Sequence, residues 1–263
     1  MSQRDKLAVA QSFSKAAQSY DSVAALQRSV GSELLAWLQD LGAPNLVADL
    51  GSGTGFFTEQ LQQKFPNAHT VGLDIAPGML QFARAHRQEN VHWLGGDMEN
   101  LPLRAECVDV FFSSLAVQWC ENLPQFFAEI FRCLAPGGYL ALATLGPETL
   151  FELRDSWRAV DEYTHVNQFD AEVHVTEAAQ RAGLAIARWQ AAPRVMHYSS
   201  LRELTHELKA LGAHNVNYQR APGLTGRQKI KQLRDAYEGF RTPQGLPASY
   251  QVYWMLVQKP ARA

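Results

Sequence analysis

The sequence predicts an α/β protein of three layers, in which a mostly parallel sheet lies between two layers of helices. Between residues 45 and 145, short runs rich in β-branched and aromatic residues alternate with segments whose apolar residues recur at helical spacing. Those runs are almost continuously apolar, as is typical of parallel strands that are buried on both faces. Such alternation favours strand–helix–strand units and hence a parallel sheet.

Five strands and three helices account for this part of the chain. The strands are predicted at Asn45–Leu50, His69–Asp74, Val91–Leu94, Val108–Ser113 and Tyr139–Thr144. Helices are predicted between them at Phe56–Lys64, Pro77–Arg87 and Leu123–Leu134. Pro77 suits the first turn of its helix, and Pro136 with the two glycines after it should end the third helix.

The flanking segments add further elements and divide the chain. Helices are predicted at Leu7–Ser19, Val23–Leu41 and Thr176–Ala182, and strands at Ala185–Tyr198 and Ser249–Lys259. Residues 200–243 are mostly helical in pattern and carry eight cations against four anions, which leaves a net charge of −6 for the rest of the chain. We therefore predict an N-terminal helical lid (1–44), a core (45–199 with 247–263) and a helical insert before the last strand (200–246).

Length and composition exclude several classes of protein. The 263 residues carry 24 cations and 26 anions, a balance that argues against a surface built to coat nucleic acid. The three cysteines are spaced thirteen residues apart, which fits neither a zinc site nor a redox pair. No run is long and apolar enough for a membrane span, and the first twenty residues lack the apolar stretch of a leader. We expect a cytoplasmic monomer that binds no metal, nucleic acid or membrane.

The strongest signal for a binding site is the glycine-rich turn Asp49-Leu50-Gly51-Ser52-Gly53-Thr54-Gly55, which joins the first strand to the next helix. Glycines let a ligand approach the backbone, and the N–H groups at the helix start favour a polar or anionic group. The dinucleotide fingerprint requires a glycine where this chain has Phe56. Asp49 would also repel a pyrophosphate, whereas it suits a ligand with an ammonium group. The turn therefore favours S-adenosylmethionine, and an NAD-dependent oxidoreductase is the weaker alternative.

Acidic residues also end the next two strands. Asp74 follows Gly55 by 19 residues, where a carboxylate can accept hydrogen bonds from both ribose hydroxyls. Asp97 follows the third strand and could accept from the adenine amino group, with Met98 packed on the ring. Three acids at successive strand ends, together with the glycine turn, predict a nucleoside site at one edge of the sheet.

These motifs, with Leu134-Ala-Pro-Gly-Gly138, resemble the class I S-adenosylmethionine-dependent methyltransferases over roughly residues 45–145. The resemblance implies a Rossmann-like sheet of seven strands whose last strand is antiparallel. Segments outside the shared core are similar to the malonyl-acyl carrier protein O-methyltransferases of biotin synthesis. Those segments are Phe13–Asp21, Leu26–Arg28, Ser114–Cys120, Leu208–Ala213 and Pro247–Tyr250.

The narrower resemblance implies transfer of a methyl group to the free carboxylate of a malonyl thioester on acyl carrier protein, leaving S-adenosylhomocysteine. A carboxylic acid with a pKa of ~4 is already ionised at neutral pH, so no general base is required. Tyr20, Gln118 and Trp119 are expected to position the substrate, and Arg28 to meet the cofactor's carboxylate. The cofactor residues implied are Asp49, Gly51, Ser52, Gly53, Gly55, Asp74, Ile75, Met79, Asp97, Met98, Ser114, Leu115 and Arg28.

The basic insert supplies candidates for contact with the substrate and its carrier. Lys209 and His214 are candidates to bind the substrate carboxylate. Arg227, Lys231 and Arg234 fall at i, i+4 and i+7 of a helical pattern, beside an apolar stripe. A cationic face on an otherwise acidic chain suits an acidic carrier protein and would mainly raise its association rate.

Besides the NAD-dependent oxidoreductase, two further alternatives remain open at this point. The chain could methylate another small carboxylic acid or a quinone. Methylation of a nucleic-acid base is disfavoured, because the Asn-Pro-Pro-Tyr-type motif is replaced by Ser113-Ser-Leu-Ala116 after the fourth strand. A different class is a non-catalytic module that binds S-adenosylmethionine, or RNA through the basic insert.

Overall fold

The computed structural model describes residues 5–87, 90–213 and 226–262. Seven strands in these ranges form a single sheet in the order β3-β2-β1-β4-β5-β7-β6. They are β1 (Leu46–Leu50), β2 (His69–Asp74), β3 (Val91–Gly95), β4 (Val108–Ser114), β5 (Leu134–Leu145), β6 (Ala185–Tyr198) and β7 (Leu246–Gln258). The first five run parallel, and β7 is antiparallel to both of its neighbours. The predicted seven-stranded α/β sheet with an antiparallel last strand is confirmed.

Nine α-helices in the described ranges surround this sheet. They are α1 (Lys6–Val23), α2 (Ala25–Ala36), α3 (Phe56–Lys64), α4 (Pro77–His86), α5 (Leu123–Cys133), α6 (Phe151–Arg158), α7 (Glu172–Arg181), α8 (Leu201–Ala210) and α9 (Arg227–Glu238). A short 3₁₀ helix, Val117–Trp119, follows β4. The strand order reverses between β1 and β4, and ligands of open α/β sheets bind at the carboxyl ends of strands where this happens.

The main differences from the sequence prediction concern β5 and α6, and the ends of several other elements, such as α2, α7 and β7, lie a few residues from those predicted. β5 begins at Leu134, which pairs with Val108, whereas a helix followed by a loop was expected there. The chain then bulges outward, because the next paired residue of β4, Val110, lies opposite Tyr139. Helix α6 was missed: its sequence is strongly polar, and it begins after Leu150 without a capping side chain.

Helix α2 belongs to the hydrophobic core. Val30 and Leu34 of α2, and Leu38 in the turn after it, are completely buried in a cluster that includes Trp254 of β7. The indole Nε1 of Trp254 donates a hydrogen bond of 3.1 Å to the carbonyl oxygen of Val30. Among the described residues of the segment 1–44 that the sequence assigned to a lid, only α1 is therefore a candidate to move separately.

Replacing Leu34 with alanine tests this placement of α2. We expect Leu34→Ala to lower the free energy of unfolding by about 2–5 kcal/mol, because it leaves a cavity in a fully buried site. Leu7→Ala on α1 is the matched control: Leu7 is 72% exposed, and its loss should change stability by less than about 0.5 kcal/mol. Denaturant unfolding of both variants measures the difference, and equal stabilities would contradict the assignment of α2 to the core.

Candidate cofactor and substrate site

The glycine turn after β1 has the left-handed backbone that its sequence predicts. Gly51 and Gly53 have φ angles of +69° and +54°. The N–H groups of Gly51 and Ser52 both donate to the carbonyl oxygen of Leu73, which holds the turn against β2. A Cβ at Gly51 would lie 2.3 Å from the Cβ of Ala116, whereas a Cβ at Gly53 would meet no atom within 4 Å. The turn therefore packs tightly on one side and faces open space on the other.

That open space is the first of three adjoining cavities, here called the nucleoside cavity. It lies at the carboxyl ends of β1 to β4, beneath helix α1. Among the residues that line it are Phe13, Tyr20, Gly51, Gly53, Asp74, Ile75, Met79, Asp97, Met98, Ser114, Leu115 and Trp119. It thus brings together most of the side chains that the sequence assigned to the cofactor.

The second space, the tail cavity, lies on the α2 side of the turn and contains an unusual set of unpaired polar atoms. It is lined by Asp49, Ser52, Gly53 and Thr54 of the turn region and by Tyr20, Gln27, Arg28 and Ser114, among others. In the described part of the chain, four buried side-chain atoms lack a hydrogen-bond partner, and they are Gln27 Oε1, Arg28 Nε, Ser52 Oγ and Ser114 Oγ. All four belong to residues of this cavity. Because leaving such groups unpaired costs about 1–3 kcal/mol each, the cavity is suited to a polar ligand with both donors and acceptors.

Asp49 adds a carboxyl group to the tail cavity. Its Oδ2 accepts a hydrogen bond of 2.6 Å from the Thr58 hydroxyl. Burial, together with the nearby Asp74 carboxyl, raises the pKa of Asp49 to about 7, although the Thr58 hydrogen bond opposes the shift. Asp49 is thus a carboxyl that an incoming ammonium group would ionise.

The third space, the acyl cavity, is mostly apolar. It is lined by Phe13, Tyr20, Leu26, Gln27, Leu115, Gln118, Trp119, Leu145, Thr149, Leu150, Asn167, Phe169, Leu208, Leu211, Ala213 and Tyr250. None of these described lining residues carries a formal charge. Tyr20 lines all three cavities, so they meet at its side chain. Burial and the charges of Asp74 and Asp21 raise the pKa of Tyr20, which keeps its hydroxyl a neutral hydrogen-bond donor.

The two strand-end acids have partners within the protein. Asp74 accepts hydrogen bonds of 2.8 Å from the N–H groups of Gly53 and Ala76, so it orders the glycine turn. Asp97 Oδ2 lies 2.6 Å from Lys6 Nζ, which also lies 2.5 Å from Glu99 Oε2. Sequence reasoning missed Lys6, because a lysine at the start of a helix gives no signal of which strand end it will reach.

The other end of α1 is tied to the glycine turn. Asp21 accepts hydrogen bonds from the Thr54 hydroxyl at 2.6 Å and from an Arg87 terminal nitrogen at 2.5 Å. Arg87 Nε also donates to the Thr54 carbonyl oxygen at 2.8 Å. Helix α1 is therefore fastened across the nucleoside cavity at both ends, by Lys6 and by Asp21.

Of the remaining predicted residues, some line a cavity, some line none of the three cavities, and one is not described. Gln118 and Trp119, which were predicted to position the substrate, line the acyl cavity, and Gln118 Nε2 donates to the Leu115 carbonyl oxygen at 2.7 Å. Gly55 lies at the start of α3 and lines none of the three cavities. Lys209 is exposed and also lines none of them, which argues against a contact with the substrate carboxylate. His214 lies outside the described residues.

Sequence comparisons identify the relatives of this chain. Residues 48–142 match the family described as "Methyltransferase domain". The chain is 44% identical to malonyl-[acyl-carrier protein] O-methyltransferase of Methylococcus capsulatus, over 97% of this chain and 94% of that protein. It is 40% identical to the protein of the same name from Hahella chejuensis, over 94% of this chain and 88% of that protein. This chain belongs to the malonyl-[acyl-carrier protein] O-methyltransferase family.

The chain is also similar to longer, bifunctional proteins and, in its fold, to more distant methyltransferases of known structure. The chain is 50% identical to the biotin biosynthesis bifunctional protein BioHC of Cellvibrio japonicus, over 97% of this chain and 51% of that protein. It thus spans about half the length of the bifunctional relatives it matches. A solved geranyl diphosphate C-methyltransferase from Streptomyces coelicolor, 14% identical, has the same fold with a TM-score of 0.54, over 89% of this chain and 79% of that chain.

The cofactor of this methyltransferase family is S-adenosylmethionine, and the residues of the two cofactor cavities fit it. The unpaired Arg28 Nε can donate to the carboxylate of its amino-acid tail, and Asp49 and Gln27 Oε1 can accept from the ammonium group. Apolar Ile75 and Met98 suit the nucleoside. The family assignment decides against the dinucleotide alternative.

Proposed function

We propose that this chain transfers a methyl group from S-adenosylmethionine to the free carboxylate of a malonyl thioester carried by acyl carrier protein. The observation that carries the proposal is the junction at Tyr20 of a polar tail cavity, a nucleoside cavity and an uncharged acyl cavity. The names of the relatives in Methylococcus and Hahella support the choice of substrate. Methylation removes the charge from one end of the malonyl group, which lets apolar sites accept it.

The side chains of the acyl cavity suit a nucleophile that is already ionised. S-adenosylmethionine supplies a methyl group on a positively charged sulfur. A malonyl carboxylate with a pKa of ~4 needs no base at neutral pH, and the described lining of the acyl cavity offers none. Tyr20 and Gln118 can orient the carboxylate with neutral hydrogen bonds. Neutral donors stabilise the carboxylate less than an arginine or lysine would, so they oppose the loss of its charge less.

Helix α1 serves in this proposal as a lid that excludes water from the reacting groups. Its residues Phe13 and Tyr20 line both the nucleoside and the acyl cavity. Its ends are held by Lys6 and Asp21, so opening requires these ion pairs to separate. A closed, dry site favours a reaction in which two opposite charges are neutralised.

Mass spectrometry of malonyl-acyl carrier protein incubated with the chain and S-adenosylmethionine tests the proposed reaction. We expect the carrier to gain the mass of one methylene unit, removable by mild ester hydrolysis. Acetyl-acyl carrier protein, which has no free carboxyl group, should remain unchanged. Methylation of a free dicarboxylate or a quinol, but not of the malonyl carrier, would favour the alternative in which the chain methylates another small molecule. Cofactor binding with no methylated product, or a steeply salt-dependent affinity for RNA, would favour the non-catalytic module.

Helix α9 provides a surface suited to an acidic carrier protein. Arg227, Lys231 and Arg234 are exposed on it, and Ile230 is 48% exposed in the same stretch. Lys231 and Arg234 lie 3.9 and 3.4 Å from Asp235, and the charge of Arg234 also helps to lower the pKa of Glu238. Because the side chains of Arg227, Lys231 and Arg234 are exposed, an acidic partner could reach all three. A cytoplasmic location and a monomeric state stay predictions of the sequence.

Reversing the charges of Arg227, Lys231 and Arg234 to glutamate tests the carrier surface. We expect KM for malonyl-acyl carrier protein to rise about tenfold or more at low salt, because electrostatic attraction speeds association. KM for malonyl-coenzyme A and the affinity for S-adenosylhomocysteine should be unchanged. The matched control reverses Arg104, Arg181 and Arg262, which are exposed outside the insert. Equal effects of the two triple variants would remove the case for a docking surface on α9.

A further inference from the structure

Gln27 of α2 stands between two of the three cavities. It lines both the tail cavity and the acyl cavity, a position that it shares only with Tyr20 among the described residues. Its Oε1 is buried and has no hydrogen-bond partner. A buried amide oxygen of this kind is costly unless a ligand supplies a donor. Neither the glycine turn nor the strand-end acids account for it.

The ligands on the two sides of Gln27 have opposite hydrogen-bonding needs. The ammonium group of the cofactor tail can only donate, and the tail cavity offers it Gln27 Oε1 and Asp49 as acceptors. The malonyl carboxylate can only accept, and the described lining of the acyl cavity holds no cation to meet it. A primary amide has an acceptor at one end and two donors at the other. The amide of Gln27 can therefore bind both neighbours at once.

We propose that Gln27 is a positioning residue that binds both ligands: its carbonyl oxygen accepts from the cofactor ammonium, and its Nε2 donates to the substrate carboxylate. This assignment rests on the proposed function for its substrate half. The ammonium fixes the direction of the amide, so the donor end faces the acyl cavity. Because binding couplings are reciprocal, the cofactor and the substrate increase each other's affinity through this side chain.

Two substitutions of Gln27 test its contact with the cofactor and its contact with the substrate separately. Gln27→Glu keeps an acceptor for the ammonium but replaces the donor by a second anionic oxygen. It should bind S-adenosylhomocysteine at least as tightly as the wild type, and its KM for malonyl-acyl carrier protein should rise about tenfold or more. Gln27→Leu removes both contacts and should weaken S-adenosylhomocysteine binding about tenfold. Gln180→Glu, at an exposed position on α7, controls for the added charge.

Methylthioadenosine, which lacks the amino-acid tail, distinguishes a ligand contact from a structural role. Gln27→Leu should bind methylthioadenosine as the wild type does, whereas a disturbed fold would weaken both ligands. The assignment is overturned if Gln27→Glu loses as much S-adenosylhomocysteine affinity as Gln27→Leu, or if its KM for the malonyl carrier is unchanged. If the wild type itself fails to methylate the malonyl carrier, the proposed function and the substrate half fall together. In that case, calorimetric titration of the wild type and both variants with S-adenosylhomocysteine still tests the contact between Gln27 and the cofactor.

Discussion

A Gly53→Ala protein should remain folded and lose about 10- to 100-fold in affinity for S-adenosylhomocysteine. An added Cβ would meet no protein atom within 4 Å, so the free protein has room for it. That room belongs to the cofactor, because Gly53 lines both the nucleoside and the tail cavity. The methyl group would therefore compete with the ligand rather than with the protein core.

The backbone effect of this substitution can be matched elsewhere in the chain. Gly53 has a φ of +54°, where an L-residue costs about 1–2 kcal/mol. Gly137 in β5 has a φ of +82°, its Cβ would also meet nothing within 4 Å, and it lines none of the three cavities. Gly53→Ala and Gly137→Ala should thus lower Tm by similar amounts, and only the first should lose cofactor affinity. Similar losses of affinity in both variants would show that the backbone, not the cavity, is responsible.

Affinity for S-adenosylhomocysteine should rise with pH across the neutral range because of Asp49. Burial raises the pKa of this carboxyl to about 7, so much of the free protein holds it protonated just below neutrality. An ammonium group in the tail cavity favours the ionised form, so binding releases the proton. Below pH 7 the affinity should therefore fall by up to about tenfold per pH unit. Calorimetry between pH 6 and pH 8 measures this slope.

The same shift predicts how Asp49 affects stability. The pKa of Asp49 in the folded protein lies above its ordinary value of 3.8, so ionisation is harder in the folded than in the unfolded chain. The cofactor-free protein should then lose stability as pH rises from about 4 towards 7. Asp49→Asn cannot ionise, so it should be more stable than the wild type at pH 8 while binding S-adenosylhomocysteine more weakly. A binding profile as steep in Asp49→Asn as in the wild type would assign the titration to another group.

Local sequence patterns predicted the parallel strands, the glycine turn and the strand-end Asp74 and Asp97, because these features depend on residues close together in the chain. The antiparallel direction of the last strand came from the family resemblance. The structure brings these residues to one end of the sheet, as predicted. Arg28 was expected near the cofactor tail, and it lines the tail cavity.

Contacts between distant segments could not be inferred from spacing. Lys6 reaches Asp97, 91 residues away, and Arg87 reaches Asp21, 66 residues away. Gln27 lies in the family segment Leu26–Arg28, but no role was assigned to it, because helical periodicity predicts which face is apolar and not which cavity a polar side chain adjoins. Lys209 shows the converse: a cation in a basic insert suggested a substrate contact, but the fold turns it to solvent. Helix α1 packs against α4 and α8, and α2 packs against β4 and β5; these tertiary contacts place Lys6, Asp21 and Gln27.

We propose that the cofactor and the malonyl carboxylate meet where the three cavities join at Tyr20. A crystal structure with S-adenosylhomocysteine and a malonyl-pantetheine analogue would show both positions. We expect the amino-acid tail beside Arg28 and Gln27, and the malonyl carboxylate in the acyl cavity beside Tyr20. An amino-acid tail outside the tail cavity, or a malonyl group bound away from Tyr20, would contradict it.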